Sequence, residues 1–306
     1  MTLLSHPPVA RFVAKRLQTV LPKLLARQSG GADPRHRLPQ FATSRTELVV
    51  PSSPPAPLVV HRAAGTPRDA PVHVNFHGGG YILGQDHGDD ALCRVVANQA
   101  GVVVVDVDYA VAPQHPFPVP VLQAVEVVRW VAEHGAEHGW DGSRLTVGGQ
   151  SAGGAIAAAV ARTLLREGGP RPLLQVLHYP PLDLTVPVTT KHSPLAKPAL
   201  TPWMGEVFDT AYVPDASRRS DPLVSPASAG DIEDLTGIAP AVVIACAHDV
   251  LHDEDVRYAT RLERAGALAE LIEVPDADHA YDMGDDVRGL QTYEAIARHV
   301  AKATTV

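Results

Sequence analysis

The chain has 306 residues, of which 45% are hydrophobic and 20% are charged, a balance typical of a globular protein with a sizeable core. Its formal net charge of −8 argues against nucleic acids and anionic membrane surfaces as partners. The two cysteines, Cys93 and Cys246, cannot form a disulfide framework, which predicts inert core thiols in a reducing, cytoplasmic compartment. Basic residues interrupt every apolar run in residues 1–28, so we expect no secretory signal there. No stretch of the sequence reaches the roughly 18 apolar residues of a membrane span, so we expect no transmembrane helix.

The N-terminal part of the chain predicts a helix followed by a hairpin. Residues 9–28 carry apolar side chains such as Leu17 and Leu21 at helical spacing, which indicates an amphipathic helix that covers a core edge or a pocket. Glycines and prolines in residues 29–43 favour an irregular connection. Residues 46–64 then predict two short antiparallel strands around a proline-rich turn.

From residue 72 onward, strand and helix patterns alternate. The predicted strands are 72–76, 101–109, 144–147, 173–179, 241–247 and 271–274, and the predicted helices are 121–138, 155–165, 253–265 and 286–302. This alternation favours an α/β fold with a mostly parallel sheet and helices on both faces. Residues 185–230, rich in Pro, Ser and Thr with a short helix expected at 202–211, form an insertion long enough to be a lid or a functional segment.

The stretch around Ser151 has the pattern of a nucleophile elbow. Gly149-Gln150-Ser151-Ala152-Gly153 matches G-x-S-x-G and stands between the predicted strand 144–147 and the helix-forming run 155–165. Glycines on both sides of the serine allow strand and helix to approach each other closely at a sharp corner. The helix N-terminus directs free N–H groups towards the serine. A solvated serine in a small-residue turn is the plainer interpretation.

His77-Gly78-Gly79-Gly80 follows directly on the predicted strand 72–76. Successive glycines let the backbone approach another group closely and leave their N–H groups free as donors. In an acyl-transfer enzyme such donors stabilise the oxyanion of the tetrahedral intermediate. An ordinary glycine turn is the alternative, but a nucleophile elbow further along the chain favours the functional interpretation.

A serine nucleophile needs a base, and the base needs a carboxylate that orients it. In the order serine, acid, histidine, the acid follows a late strand and the histidine follows the last one. Asp249 and His279 occupy these positions after the strands 241–247 and 271–274. The rival carboxylates are Asp253, Asp255, Asp276 and Asp278. The first two fall in the predicted helix 253–265, and the other two are too near His279 in sequence to be its favoured partner.

These motifs together resemble the bacterial hormone-sensitive-lipase family, family IV of the α/β-hydrolase carboxylesterases. The resemblance runs from about residue 70 to the C-terminus and rests on HGGGY at 77–81, the segment 108–118 with APQHPFP, GQSAGG at 149–154, YPPLD at 179–183 and DVLHDE at 249–254. It implies an α/β-hydrolase fold with about eight strands and a small helical cap. The cap would comprise residues 1–45 and an insertion at about 185–230, within a hydrolase domain of residues 46–306.

The resemblance also implies the site residues and the reaction. Ser151 would be the nucleophile, His279 the base and Asp249 the orienting acid. The N–H groups of Gly79, Gly80 and Ala152 would form the oxyanion hole, with Gly78 a less favoured donor. The substrates would be short-to-medium acyl esters, small molecules hydrolysed without a cofactor.

Three positions depart from the family's usual pattern. Neutral Gln150 stands where Asp or Thr often precedes the serine, Ala110-Val111 replaces Arg-Leu after Asp108-Tyr109, and Ala280-Tyr281 replaces Gly-Phe after the histidine. None of these changes removes a member of the predicted triad.

Other functions stay open at the level of sequence. The fifteen histidines include His134 and His138 in an H-x-x-E-H pattern, and His248 and His252 four residues apart, which raises a zinc hypothesis. A catalytic zinc needs a third ligand, and His134 stands at a glycine-broken helix end, so we expect no metal site there. Lactonase, amidase or thioesterase activity would use the same triad, and a non-catalytic ligand-binding homologue would use the same fold. A homodimer is compatible with the sequence.

Overall fold

An eight-stranded sheet forms the centre of the protein, which is represented by a computed structural model describing residues 2–28, 33–85 and 87–305. The strands are β1 (Thr43–Val50), β2 (Ala56–Ala63), β3 (Pro71–Phe76), β4 (Val103–Val107), β5 (Asp141–Gln150), β6 (Gln175–His178), β7 (Ala241–Cys246) and β8 (Leu268–Val274). Their order across the sheet is β1-β2-β4-β3-β5-β6-β7-β8. The pairs β1–β2 and β2–β4 are antiparallel, and every other pair is parallel.

The helices are α1 (Pro7–Gln28), α2 (Asp90–Ala100), α3 (Val119–Glu133), α4 (Gly135–His138), α5 (Ala152–Glu167), α6 (Pro202–Tyr212), α7 (His252–Arg264) and α8 (Asp286–Thr304). Helices α2 and α8 pack their apolar side chains on one face of the sheet, and α3, α5 and α7 pack on the other. Strands covered on both faces need apolar residues at successive positions, and β7, which is buried along its whole length, is apolar throughout. Strand β4 is equally buried and is apolar except for Asp106. This architecture confirms the predicted α/β-hydrolase fold class.

Two elements differ from the sequence prediction. Helix α2 lies in a stretch to which we assigned no element, although Leu92 and Val96 stand four residues apart and both are buried against the sheet. The single helix expected over 121–138 is instead α3 followed by the short α4. A Cβ on Gly135 would lie 2.5 Å from the carbonyl oxygen of Trp140, so the chain turns back tightly at this glycine and the long helix ends.

Helices α1 and α6 pack against each other at the end of the sheet where the parallel strands terminate. Ala14 of α1 is fully buried, and Leu17 and Leu21 pack against the same core, as the amphipathic pattern predicts. The division of the chain at residue 45 stays a prediction. Across the described residues, each helix is too short or too polar to cross a lipid bilayer. Both cysteines are buried free thiols.

Candidate active site

Ser151 lies at the sharp corner between β5 and α5. Its backbone has φ 51° and ψ −122°, a conformation that non-glycine residues rarely adopt. The corner is also very tight, because a Cβ on Gly153 would lie 1.8 Å from the carbonyl oxygen of Phe76 at the end of β3. A glycine two residues after the serine is therefore a steric requirement of this turn, and the turn holds the serine side chain above the sheet.

The structure brings Ser151, His279 and Asp249 together at the carboxyl ends of β5, β8 and β7. The serine Oγ lies 2.8 Å from His279 Nε2, and His279 Nδ1 lies 2.6 Å from Asp249 Oδ2. The other carboxylate oxygen, Oδ1, accepts the N–H of Leu251 at 3.1 Å. Each oxygen of Asp249 thus faces an N–H group, which fixes the carboxylate and assigns the histidine proton to Nδ1. The unprotonated Nε2 then faces the serine hydroxyl.

The environment of His279 raises the pKa of its imidazole. Burial by itself lowers the pKa of the imidazole, but the charge of Asp249 and its hydrogen bond outweigh burial, and the pKa is raised above its ordinary value. Asp278 holds the loop in place, since its Oδ1 accepts the N–H of His279 at 2.7 Å and its Oδ2 accepts the N–H of Ala199 at 2.6 Å. This carboxylate therefore connects the histidine loop to the insertion that carries α6.

The rival carboxylates lie elsewhere. Asp253 has 83% of its side chain exposed, and Oδ1 lies 3.4 Å from His252 Nδ1. Asp255 is buried within α7, where burial raises the pKa of its carboxyl group well above the usual range. Asp276 is largely exposed beside His248. The carboxylate oxygen against His279 Nδ1 belongs to Asp249, as the placement at the strand end predicts.

The glycine loop after β3 has the backbone conformation expected of an N–H cradle. Gly79 and Gly80 have φ values of 115° and 61°, and both residues line the same cavity as Ser151. Within the described turns and loops, the carbonyl of Gly79 accepts the N–H groups of Ile82 and Leu83, while the N–H groups of Gly79 and Gly80 donate to no backbone acceptor. Ala152 is the first residue of α5, where an N–H group has no partner inside the helix.

His77 anchors this loop from below. Its ring stacks on Tyr109 with a centroid distance of 4.4 Å, and the Tyr109 hydroxyl donates to the His77 carbonyl at 3.0 Å. The Nε2 atom lies 3.6 Å from Asp108 Oδ1, an ion-pair distance that is too long for a hydrogen bond. Burial lowers the pKa of His77, but the Asp108 carboxylate, together with Asp89, the Gly78 carbonyl and Asp106, outweighs burial and raises the pKa to about 9.

A buried network behind the nucleophile was not predicted from the sequence. Its centre is the fully buried Asp282, which accepts hydrogen bonds from the hydroxyls of Tyr179 at 2.7 Å and Tyr293 at 2.6 Å. Gln150 donates its amide to the same carboxylate and, at 3.0 Å, to the Tyr179 hydroxyl. The neutral Gln150 thus supplies donors to a buried anion that an acidic residue at this position would repel. No local signal marks Asp282, since its partners come from three other elements.

The site opens into a cavity of about 260 Å³. Ser151 and His279 lie in its wall, and Leu21 of α1 with Met204 and Phe208 of α6 contribute apolar side chains to the same cavity. A group bound next to the serine would therefore contact mainly hydrocarbon and aromatic surface.

One part of the cavity wall is polar. Lys191 forms an ion pair of 2.5 Å with the buried Glu254. Asp209 of α6 also lines the cavity, and burial raises its pKa to about 6, although the charge of Lys191 opposes that shift. These two residues add ionisable groups to the mainly apolar cavity wall.

The histidine pair of the zinc hypothesis forms aromatic contacts instead. His134 stacks on Trp130 with a centroid distance of 4.8 Å, and its Nδ1 lies 3.0 Å from the Trp130 carbonyl oxygen. His138 stacks on Trp140 with a centroid distance of 5.3 Å. His252 Nε2 lies 3.0 Å from Glu273, in a separate surface pair. These histidines do not converge on a third ligand within the described chain.

Known proteins resemble this chain in both sequence and fold. A family model described as the alpha/beta hydrolase fold matches residues 73–283. Esterase LipI of Mycobacterium tuberculosis is 35% identical over 215 residues, which span 70% of this chain and 66% of LipI. Carboxylesterase NlhH of the same organism is 37% identical over 213 residues, which span 69% of this chain and 66% of NlhH. The matched region is thus about two thirds of the length of these relatives.

Solved structures extend the likeness to nearly the whole chain. An esterase from Pyrobaculum calidifontis superposes with a TM-score of 0.83 at 27% identity, covering 96% of this chain and 94% of that protein. With a family match over more than half of its length and curated relatives above 30% identity, the chain belongs to the hormone-sensitive-lipase-like family of the α/β-hydrolase fold.

Proposed function

We propose that this protein is a serine carboxylic-ester hydrolase in which Ser151 is the nucleophile, His279 the general base and Asp249 the orienting acid. The observation that carries the proposal is the continuous hydrogen-bond chain from Ser151 Oγ through His279 to Asp249, with links of 2.8 and 2.6 Å. A nucleophile, a base and an orienter at these distances form the arrangement that acyl transfer requires. Relatives named esterases and carboxylesterases support the same activity.

In the first half of the reaction, Ser151 Oγ attacks the ester carbonyl carbon while its proton passes to His279 Nε2. The imidazolium that forms is stabilised by Asp249, which stays ionised and accepts the Nδ1 proton. The carbonyl oxygen becomes an oxyanion, for which the N–H groups of Gly79, Gly80 and Ala152 are the proposed donors. His279 then gives its proton to the departing alcohol oxygen, and an acyl-serine ester remains.

The second half repeats these steps with water. His279 removes a proton from a water molecule, the hydroxide attacks the acyl carbon, and the serine oxygen leaves with the proton held on Nε2. The products are the carboxylic acid and free Ser151. All proton transfers use one imidazole, so neither half-reaction needs a cofactor.

The dimensions of the cavity favour short-to-medium acyl groups. Its volume of about 260 Å³ lies just below the range of roughly 300–1,000 Å³ found for ligand pockets. We further propose that α1 and the 185–230 insertion act as the cap of this cavity, because Leu21, Met204 and Phe208 line it together with the serine. In this arrangement residues 1–45 and the 185–230 insertion belong functionally to the cap, and the rest of residues 46–306 carries the catalytic machinery.

The decisive experiment replaces the nucleophile. Ser151→Ala should abolish hydrolysis of p-nitrophenyl esters while leaving the melting temperature close to that of the wild type, because the acyl-enzyme cannot form. Ser44→Ala, at an exposed position of β1, is the matched control and should keep full turnover. An organophosphate should label the wild type and the control but not Ser151→Ala. Normal turnover by a folded Ser151→Ala variant would refute the proposal.

The leaving group is the remaining alternative within this mechanism. Lactones, amides and thioesters form the same acyl-enzyme, so a panel of these compounds beside p-nitrophenyl esters of rising acyl length ranks the activities by kcat/KM. A protein that serves only to bind a ligand would turn over none of them and would not react with the organophosphate.

A further inference from the structure

Three buried side chains with metal-ligating atoms converge away from the proposed triad. His61 of β2, Cys93 of α2 and Asp106 of β4 each offer one ligand atom, and these atoms all lie within 4.8 Å of one another. Their residues are 0%, 1% and 2% exposed. Among the described histidine, cysteine and acidic side chains, no other three converge in this way. We call these three residues the β2–α2–β4 cluster.

The strand register explains how the cluster forms. His61 lies opposite Val104 in the antiparallel β2–β4 pair, and Asp106 stands two residues further along β4, so their side chains share one face of the sheet. Val104 packs in the same core as α2, which delivers Cys93 to that face. Residues from three separate elements therefore point into one volume beneath α2.

The two ligands on the sheet are oriented by neighbours in the way that metal ligands usually are. His61 Nδ1 lies 3.2 Å from Thr43 Oγ1, whereas His61 Nε2 is buried with no hydrogen-bond partner. Asn75 donates to Asp106 Oδ1 at 2.9 Å, and Gln85 donates to Asp106 Oδ2. Partners on the far nitrogen of a histidine and on a carboxylate hold ligands in place in known metal sites. A buried imidazole nitrogen without a partner destabilises the protein unless a ligand occupies it.

The charges of this region are consistent with a cation. The guanidinium groups of Arg45 and Arg94 both pair with Asp90. The hydrogen-bond partners of Asp106, in contrast, are neutral amides, and the His77 imidazole interacts with its carboxylate only through charge. A buried carboxylate whose hydrogen bonds come from neutral groups is a favourable ligand for a positive ion.

We propose that His61, Cys93 and Asp106 bind one divalent transition-metal ion of the zinc class. The mixed nitrogen, sulfur and oxygen ligand set suits zinc or cobalt, whereas calcium and magnesium prefer oxygen alone. The cysteine binds as a thiolate, so ion uptake releases its proton to solvent. The ion would connect β2, β4 and α2, which gives Cys93 a role that its interpretation as an inert core thiol did not include.

The cluster also lies close to the cavity wall. Asn75 donates to Asp106 at 2.9 Å and to Asp89 Oδ2 at 2.6 Å, and Asp89 lines the cavity that contains Ser151. An ion at the cluster would therefore stabilise the wall through Asn75. The role is structural, so metal binding is independent of the proposed triad and should be unchanged in Ser151→Ala.

The test uses cobalt as a spectroscopic probe on the full-length chain. Titration of the metal-free protein with Co²⁺, both in the native state and during refolding from denaturant, should give a sulfur-to-cobalt charge-transfer band that saturates at one ion per chain. Zn²⁺ should displace the band. The chain has only two cysteines, so Cys93→Ser should abolish the band and the matched control Cys246→Ser should retain it. The melting temperature should rise with Zn²⁺ and fall back with a chelator.

Several outcomes would overturn the proposal. A wild-type protein that shows no saturable charge-transfer band, either native or refolded, has no such site. A band that survives Cys93→Ser, or cobalt bound without any thiolate band, would place the ion elsewhere among the surface histidines. If Cys93→Ser fails to fold, His61→Gln serves in its place and should weaken Co²⁺ binding at least tenfold; unchanged affinity in that variant would equally refute the cluster.

Discussion

Replacing the orienting acid gives the sharpest test of the site geometry. In Asp249→Asn one carboxylate oxygen becomes an NH₂ group, yet both oxygens of Asp249 currently face N–H groups, those of His279 and Leu251. The amide must therefore turn its NH₂ group towards one of these donors. If it faces His279, the imidazole is driven to carry its proton on Nε2 and cannot accept the proton of Ser151. If it faces Leu251, a buried N–H group loses its acceptor.

The magnitude follows from these two alternatives. Loss of the correct tautomer and of the charge opposite the imidazolium lowers kcat by about 10⁴, which corresponds to about 5.4 kcal/mol at about 1.36 kcal/mol per tenfold. An orphaned buried donor would lower the free energy of unfolding by about 1–3 kcal/mol. We expect the kcat loss to dominate, measured with a p-nitrophenyl ester beside a denaturant titration of the same preparation.

The matched control is Asp253→Asn. Its side chain is 83% exposed and contacts His252 rather than His279, so turnover and stability should stay near those of the wild type. A folded Asp249→Asn protein with kcat within tenfold of the wild type would refute the role assigned to Asp249. Equal losses in the two variants would show that the strand-end placement does not identify the acid.

Three further predictions follow from the geometry. Gly79→Ala places a side chain at φ 115° with its Cβ 2.8 Å from that of Leu83, so it should lower kcat about a hundredfold and reduce stability. In the control Gly78→Ala the new Cβ would lie 3.4 Å from the nearest atom, so both effects should be much smaller. The kcat values and denaturant midpoints of the two variants test this prediction. His279 acts as a base only when it is neutral, so kcat/KM should fall as the pH drops and the imidazole becomes protonated. Because the pKa of His279 is raised, the midpoint of this fall should lie above the ordinary value of 6.5. A midpoint below that value would contradict the geometry. Deleting residues 1–28 should shift the acyl-length profile and lower the melting temperature, and no change in either would exclude α1 from the cap.

The fold and the two glycine motifs were predictable because their signals are local. A strand covered on both faces needs an unbroken apolar run, and a tight strand-to-helix corner needs glycines beside its serine. Both requirements are met within a few consecutive residues, as at β7 and around Ser151. The order of strand ends along the chain then restricted the acid and the histidine to a few positions, of which Asp249 and His279 were preferred.

Contacts between distant residues were decided by the tertiary structure alone. Asp282 receives hydrogen bonds from Gln150 and Tyr179, which are 132 and 103 residues away in sequence, and no periodicity or motif announces such a pairing. Likewise, His61 and Cys93 are brought together because antiparallel register and the packing of α2 place both side chains on one face of the sheet. Sequence patterns record what each segment needs from its immediate surroundings, whereas the identity of each buried polar partner depends on how the segments pack.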